Sequence, residues 1–309
     1  MKKRVMGFSA LLLCTMIWGT AFIAQSVGME QMGPFTFQYI RCLLAVAFLL
    51  PVATIAGWKR EGLKKSIQNW MDPALLKCGL LCGSVLFIAS SLQQIGLVYT
   101  DAGKAGFITA MYIVMVPIMG LALKRRPSVP ALVSVIPAVV GLYLLCGGGV
   151  TSLNIGDLFL MGGALGFAVQ IMLIDRHAKG LDSLRINTLQ CVVIAVLSLP
   201  ISFSEDFSSA AIWNCRIPLL YAGVMSMGIA YSLQVMGQKH VEPTAASLIM
   251  SLESVFAALG GWLILKETMN FREIMGATLM LLAVILSQVP VRSREEMKAP
   301  ASQVPATEE

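Results

Sequence analysis

Charged residues are the scarcest feature of this sequence. Asp, Glu, Lys and Arg make up only 13% of its 309 residues, whereas soluble domains carry about a quarter. The hydrophobic fraction is 57% and the mean hydropathy is +0.76. So few charges cannot cover the surface of a soluble domain of this length. The composition therefore indicates an integral membrane protein.

Several enzyme and metal motifs are also missing. There is no G-x-x-x-x-G-K-[ST] phosphate loop, since the run 147–149 has glycines but no lysine, and there is no H-E-x-x-H. His177 and His240, the only two histidines, fall near predicted helix ends, too shallow for an intramembrane Ser-His hydrolase. The seven cysteines form neither a disulfide framework nor a metal cluster. We expect no enzyme, no cofactor and no metal; a membrane enzyme and a channel remain alternatives.

Ten apolar runs are each long enough to cross the bilayer, which takes roughly 20 residues. The runs lack the alternation of barrel strands, so we predict helices. Their approximate ranges are 6–27, 34–57, 74–98, 102–123, 129–147, 157–175, 186–203, 217–237, 244–265 and 271–290.

Basic residues distinguish the two sides of the membrane. With ten spans, seventeen Lys and Arg residues fall on the side of the termini and four on the other. The positive-inside rule then places both termini in the cytoplasm of a multi-pass protein of the cell membrane. The net charge of +6 thus reports topology and contact with anionic lipid, not nucleic acid. Residues 291–309 are polar and are predicted to be a disordered cytoplasmic tail.

The chain contains an internal repeat. The pattern Ala-x-Ser-Leu-Gln-x-x-Gly occurs at 89–96 and again at 230–237, an offset of 141; an offset of 149 aligns the first two spans with the sixth and seventh. We predict a first five-helix repeat at 1–150 and a second at 151–290. Because five is odd, the second repeat is inverted. Inverted repeats are typical of secondary transporters, which bind substrate near the midplane; the alternative is a duplication that only builds a stable bundle.

The sequence also resembles the EamA branch of the drug/metabolite transporter superfamily over residues 8–290. The matching features are Trp18-Gly19, Arg41, the stretch 103–109, Pro117, Gly156-Asp157, Ser251-Leu252-Glu253, Leu265-Lys266-Glu267 and Gly276. This resemblance implies an all-α integral membrane fold of ten transmembrane helices in two inverted EamA repeats. It implies export or import of small metabolites, often amino acids, without giving the substrate.

Glu253 is the clearest candidate for function. It lies about 13 Å into its span, near the middle of a core about 30 Å thick, where an ionisable group suggests a functional site. The offset of 141 pairs it with Tyr112, so both are expected near the central axis. A structural carboxylate bonded to a neighbouring helix is the alternative.

Other polar and aromatic residues at membrane depth complete the predicted substrate-binding site. They are Trp18, Arg41, Gln93, Gln170, Tyr231 and Gln234, beside Tyr112 and Glu253. Arg41 is expected to bind an anionic group, pair with a carboxylate or snorkel outward. The glutamine side chains either line the transport pathway or hydrogen-bond neighbouring helices to each other. The aromatic side chains either line a cavity or pack between helices.

The sequence analysis thus predicts a secondary transporter that works by alternating access. Its expected partners are a small-molecule substrate, membrane lipid and protons, with export of amino acids or related amphiphilic solutes as the favoured activity. A multidrug or organic-cation exporter is the alternative. Two Gly-x-x-x-Gly motifs, at 79–83 and 162–166, serve helix packing or formation of a homodimer.

Overall fold

The computed structural model describes residues 2–100, 102–125, 127–146, 154–205, 208–264 and 269–289. These residues form helices joined by short connections. The glycine run 147–149, the 265–267 part of the family motif and the predicted tail at 291–309 lie outside the described residues.

In the described residues ten helical segments cross the bundle, and we number them α1 to α10. They are α1 (Lys2–Met29), α2 (Pro34–Glu61), α3 (Pro73–Tyr99), α4 (α4a, Ala102–Thr109, and α4b, Tyr112–Ala122), α5 (Val129–Cys146), α6 (Ile155–His177), α7 (Ser183–Ser202), α8 (Arg216–Gln238), α9 (α9a, Pro243–Met250, and α9b, Glu253–Ile264) and α10 (Phe271–Ser287). Short helices at Leu63–Gln68 and Ser209–Asn214 lie in the connections.

Within the described residues, the segments α1 to α9 are long and apolar enough to span a membrane. α10 is the tenth, with 17 residues. Arg4 at the start of α1 donates a hydrogen bond of 2.9 Å to the carbonyl of Gln288 just after α10, so both lie at one end of the bundle, as an even number of crossings requires. The protein is an all-α integral membrane protein of ten helices in two inverted five-helix repeats, as predicted.

Local sequence explains where several helices begin. Pro34, Pro73 and Pro243 occupy the first position of α2, α3 and α9a, where the missing N–H costs nothing. Asn154 forms a reciprocal capping box with Asp157 at the start of α6, which satisfies otherwise unpaired backbone donors. The first-position prolines and the capping box thus stabilise the helix starts, where backbone N–H groups would otherwise lack partners.

α4 and α9 are interrupted at matching positions, which the sequence analysis did not predict. α4 breaks after Thr109 and α9 after Met250, again an offset of 141. At each break the backbone tightens: Met111 N bonds to Ile108 O at 3.1 Å, and Leu252 N bonds to Ile249 O at 3.1 Å. Such three-residue turns replace regular α-helical bonds. Tyr112 and Glu253 are therefore the first residues of α4b and α9b.

The glycines of the repeated motif bring helices of opposite repeats into close contact. A Cβ atom at Gly96 would lie 2.6 Å from Leu160 Cγ, and a Cβ atom at Gly237 would lie 2.6 Å from Leu11 Cγ. The first contact joins α3 to α6 and the second joins α8 to α1. The two are equivalent under the repeat, because Leu11 and Leu160 are related by the offset of 149.

The serines of the same motif also have equivalent partners. Gln38 Nε2 donates to Ser91 Oγ at 2.9 Å, and Asn187 Nδ2 donates to Ser232 Oγ at 3.0 Å. Gln38 and Asn187 are related by the offset of 149. An unpaired amide inside the bilayer is costly, so each pair ties a second helix of the same repeat to the motif helix.

Both Gly-x-x-x-Gly motifs pack inside the chain. A Cβ atom at Gly79 would lie 2.5 Å from Leu189 Cβ of α7, and one at Gly166 would lie 2.8 Å from Ala89 Cβ of α3. These glycines therefore serve intramolecular helix packing, and they give no support to a homodimer.

α8 departs from regular α geometry. Residues Tyr221–Ala230 form a π-helix between two α-helical segments. Long π-helices are rare and often accompany functional sites. Tyr231 and Gln234, both predicted site residues, follow directly in the last α-helical segment.

We predict that Gly96→Ala and Gly237→Ala each destabilise the protein by about 1–3 kcal/mol, because the added methyl overpacks a close helix contact. Gly103→Ala is the matched control, since a Cβ atom there meets nothing within 4 Å. Thermal unfolding in detergent measures the effect. Equal unfolding temperatures for all three variants would contradict the close-contact explanation.

Candidate functional site

A buried cavity lies between the two repeats, at the level of the breaks in α4 and α9. Helices of both repeats contribute to its wall, chiefly α1, α4, α6, α8 and α9. The lining residues are Trp18, Ala21, Phe22, Gln25, Arg41, Gln93, Thr109, Tyr112, Phe167, Ile171, Ser226, Met227, Tyr231, Gln234, Met250 and Glu253. The cavity volume is about 40 Å³, enough for roughly three water molecules.

Tyr112 and Glu253 meet in the wall of this cavity. The Tyr112 hydroxyl donates a hydrogen bond of 3.1 Å to Glu253 Oε1, and the two residues are 4% and 5% exposed. Glu253 is the first residue of α9b, where the helix dipole favours a negative charge. The repeat pairs these two residues, and the structure joins them directly across the repeat interface.

The aromatic part of the wall comes from α1, α6 and α8. The rings of Trp18 and Tyr231 are 4.8 Å apart in an edge-on arrangement at 62°. Phe167 of α6 also lines the cavity and is related to Trp18 by the offset of 149. Aromatic faces are therefore present on both repeats, close to the Glu253 carboxyl.

The amides form a layer around and behind the wall. Gln93 Nε2 donates to Thr109 Oγ1 at 3.3 Å. Gln234 Nε2 donates to Gln170 Oε1 at 3.1 Å, and Gln170 Nε2 donates to Gln190 Oε1 at 3.1 Å. This relay connects α8, α6 and α7 through side chains that are almost fully buried.

Arg41 reaches the cavity from α2. It is 2% exposed, and its guanidinium donates to Gln25 Oε1 at 2.8 Å and to Gln38 Oε1 at 3.0 Å. The guanidinium also lies 5.7 Å from the centre of the Phe37 ring. Among the described residues, no carboxylate forms an ion pair with Arg41.

The structure brings seven of the eight predicted site residues to one cavity. The eighth, Gln170, does not line it; Phe167 and Ile171 of the same helix do, and Gln170 supports Gln234 from behind. Sequence reasoning missed Gln25 and Thr109 as lining residues. Gln25 could have been found as a polar residue within a predicted span, and Thr109 as the polar residue that ends the family stretch 103–109.

Ion pairs tie the two repeats together at both ends of the bundle. We call the end that carries the 59–65 and 124–125 segments the basic end. There Arg185 pairs with Glu61 at 2.6 Å, and further pairs between the repeats join Arg60 to Asp182 and Arg125 to Asp175. At the opposite end Lys104 pairs with Asp157 at 2.7 Å.

The Asp182 carboxyl illustrates the electrostatics of the basic end. Burial acts to raise its pKa, but hydrogen bonds from Arg60 and from the backbone N–H of Arg185 outweigh burial and hold the pKa below its usual value. Asp182 therefore remains a carboxylate at neutral pH, so its pairing with Arg60 persists there.

A second, wider cavity opens near the basic end, beside α4b, α6, and the connection from α8 to α9. Its volume is about 380 Å³. Charged residues of both repeats line it, among them Arg125, Asp175 and Glu242. The Arg125–Asp175 ion pair lies in this wall.

A bundle of inverted repeats around a central cavity is the architecture typical of secondary membrane transporters. The EamA-like transporter family matches residues 5–147 and 154–288, and the chain belongs to this family. It is a multi-pass membrane transporter and not an enzyme.

The similar proteins agree with this membership. An uncharacterized transporter of Archaeoglobus fulgidus is 30% identical over 290 residues, which cover 94% of this chain and 88% of that protein. The uncharacterized inner membrane transporter YicL of Salmonella typhimurium is 24% identical, with 93% and 97% covered. A solved crystal structure shares the fold with a TM-score of 0.74 at 16% identity, covering 93% of this chain and 96% of that one.

Proposed function

We propose that this protein is a secondary transporter that exports amino acids or related amphiphilic solutes across the cytoplasmic membrane by alternating access. The observation that carries the proposal is the buried cavity between the repeats, where Tyr112 and Glu253 meet at 3.1 Å. A site at the interface of inverted repeats becomes accessible from either side when the repeats rock against each other.

The small size of the cavity supports a closed conformation. A volume of about 40 Å³ holds a few waters and is too small for an amino acid. At each end of the bundle, an ion pair joins the first repeat to the second. Transport then requires the pairs at one end to separate while those at the other end remain, with residues 1–150 and 151–290 as the two units.

The alternative cargo is an organic cation. Trp18 and Tyr231 present aromatic faces beside the Glu253 carboxyl, and such a combination attracts cations through the ring quadrupole. Arg41 in the same wall disfavours a purely cationic solute by like-charge repulsion. The amino acid proposal accounts for both charged side chains.

Counterflow in proteoliposomes tests the transporter proposal. We expect saturable exchange of labelled neutral amino acids such as leucine, methionine and phenylalanine, and weaker exchange of tetraphenylphosphonium. A channel shows no counterflow, because it does not couple the two directions of movement. Preferential exchange of the cation would replace the amino acid proposal by the alternative, and absence of exchange for every compound would overturn both.

Energy coupling is proposed to use protons at Glu253. In the described part of the chain, Glu253 is the acidic residue that lines the central cavity. We expect Glu253→Gln to abolish the acceleration of transport by an imposed pH gradient, because an amide cannot exchange a proton. Glu30→Gln, at an exposed acidic residue, is the control and should keep the acceleration. If Glu253→Gln leaves both the rate and its pH dependence unchanged, facilitated diffusion is favoured.

The orientation is proposed from the charge distribution, with the basic end and both termini in the cytoplasm. We expect Ser204→Cys to react with a membrane-impermeant maleimide in intact cells, and Lys64→Cys to react only after permeabilisation. Both positions are exposed at opposite ends of the bundle, and most native cysteines are buried. The reverse labelling pattern would invert the proposed topology.

A further inference from the structure

The central cavity is built from matched pairs of residues, one from each repeat. Under the offsets of 149 and 141 the pairs that both line it are Trp18 with Phe167, Phe22 with Ile171, Gln93 with Gln234, Thr109 with Met250 and Tyr112 with Glu253. These five pairs account for ten of the sixteen lining residues. The cavity wall is therefore partly symmetric between the repeats.

Its charges are not symmetric. Glu253 of the second repeat corresponds to Tyr112, which is uncharged, and Arg41 of the first repeat corresponds to Gln190, which does not line the cavity. Each repeat thus supplies one charge that its counterpart lacks. A pseudo-symmetric cavity with one cationic and one anionic group favours a single orientation of a cargo that carries both charges.

Arg41 is incompletely satisfied in the closed structure. Its two terminal nitrogens donate to neutral amides, while Nε is buried and has no hydrogen-bond partner. A buried charge without a counter-ion is costly and is normally paired. The free Nε, with an adjacent Nη hydrogen, forms the planar fork that suits a carboxylate.

Unused acceptors belong to two other residues that line the same cavity. Gln234 Oε1 is buried without a hydrogen-bond partner, and among the described residues the Glu253 carboxyl has one hydrogen bond, from Tyr112 to Oε1. An ammonium group has three donors and no acceptor. Donors at Arg41 and acceptors at Glu253 and Gln234 are complementary to the two ends of an amino acid.

We propose that Arg41 binds the carboxylate of an amino acid cargo while Glu253 and Gln234 hold its ammonium group, an assignment that rests on the proposed function. Arg41 lies about 10 Å from the start of α2 and Glu253 about 15 Å from the start of α9, and these helices start at opposite ends. The carboxylate end of the cargo therefore points away from the basic end. Phe22, Ile171 and Met227 of the wall face its side chain and favour an apolar one.

Ligand binding to the full-length protein in detergent tests the assignment without requiring transport. A ligand raises the unfolding temperature according to its concentration relative to Kd. Leucine, methionine and phenylalanine are each compared with their amides, which lack the carboxylate, and with their deaminated acids. We expect the amino acids to bind at least ~10-fold more tightly than either analogue, as expected for loss of a charge-assisted hydrogen bond.

Variants separate recognition from structural support. Arg41→Gln should weaken leucine binding at least ~10-fold and reduce the preference for leucine over leucinamide to under ~3-fold. Arg41→Lys keeps the positive charge but loses the planar fork of donors. Its preference for leucine over leucinamide should therefore lie between those of the unaltered protein and of Arg41→Gln. Arg185→Gln is the matched control: Arg185 is also buried, at 4% exposure, but it pairs with Glu61 away from the cavity, and its removal should leave the preference intact.

The binding measurements test the carboxylate assignment separately from the counterflow experiment, which tests transport. Equal binding of amino acids and amides by the unaltered protein, or binding of neither, overturns the carboxylate assignment even if Arg41→Gln does not fold. Equal weakening of leucine and leucinamide by Arg41→Gln also overturns it and makes Arg41 a structural residue. Selective binding without counterflow of any compound overturns the transporter proposal and leaves the assignment standing.

Discussion

The close approach of helices from opposite repeats, made through glycine, is the constraint on which the rest of the structure depends. Lipid tails are as apolar as the helices, so the hydrophobic effect gives little drive for association inside a bilayer. The contacts of Gly96 with Leu160 and of Gly237 with Leu11 allow dense packing of backbone on side chain instead. They set α3 against α6 and α8 against α1, and thereby fix the position of Gln93 and Gln234, one turn away on the same helices.

The two repeats keep equivalent packing contacts but differ in the charges of equivalent residues. The Ser91 and Ser232 hydroxyls keep equivalent amide partners, and the turns that interrupt α4 and α9 keep equivalent backbone bonds. By contrast, Tyr112 and Glu253 differ completely in charge, as do Arg41 and Gln190. The contacts of the repeated motif and the helix breaks are thus matched between repeats, whereas Arg41 and Glu253 are each specific to one repeat.

The sequence was sufficient for the helices, the inversion and much of the cavity wall, because each depends on a regular signal. Apolar run length predicts spans, and the offset of 141 predicts that Tyr112 meets Glu253. It did not predict the breaks in α4 and α9 or the π-helix of α8, since these depend on local backbone bonds that no single residue type specifies. Gln170 was placed on the cavity because depth in a span does not give the rotation of a helix. The structure turns it toward Gln190 and Gln234.

The ion pairs between the repeats hold the basic end together with unequal strength. Within the described part of the chain, three of them, those of Arg60, Arg125 and Arg185, join the first repeat to the second at this end. The Arg60 and Arg125 side chains are 60% and 41% exposed, so dissolved salt screens their pairs. The Arg185 side chain is 5% exposed, and its pair with Glu61 is screened much less. Any separation of the repeats at the basic end therefore has to break one ion pair that added salt barely weakens.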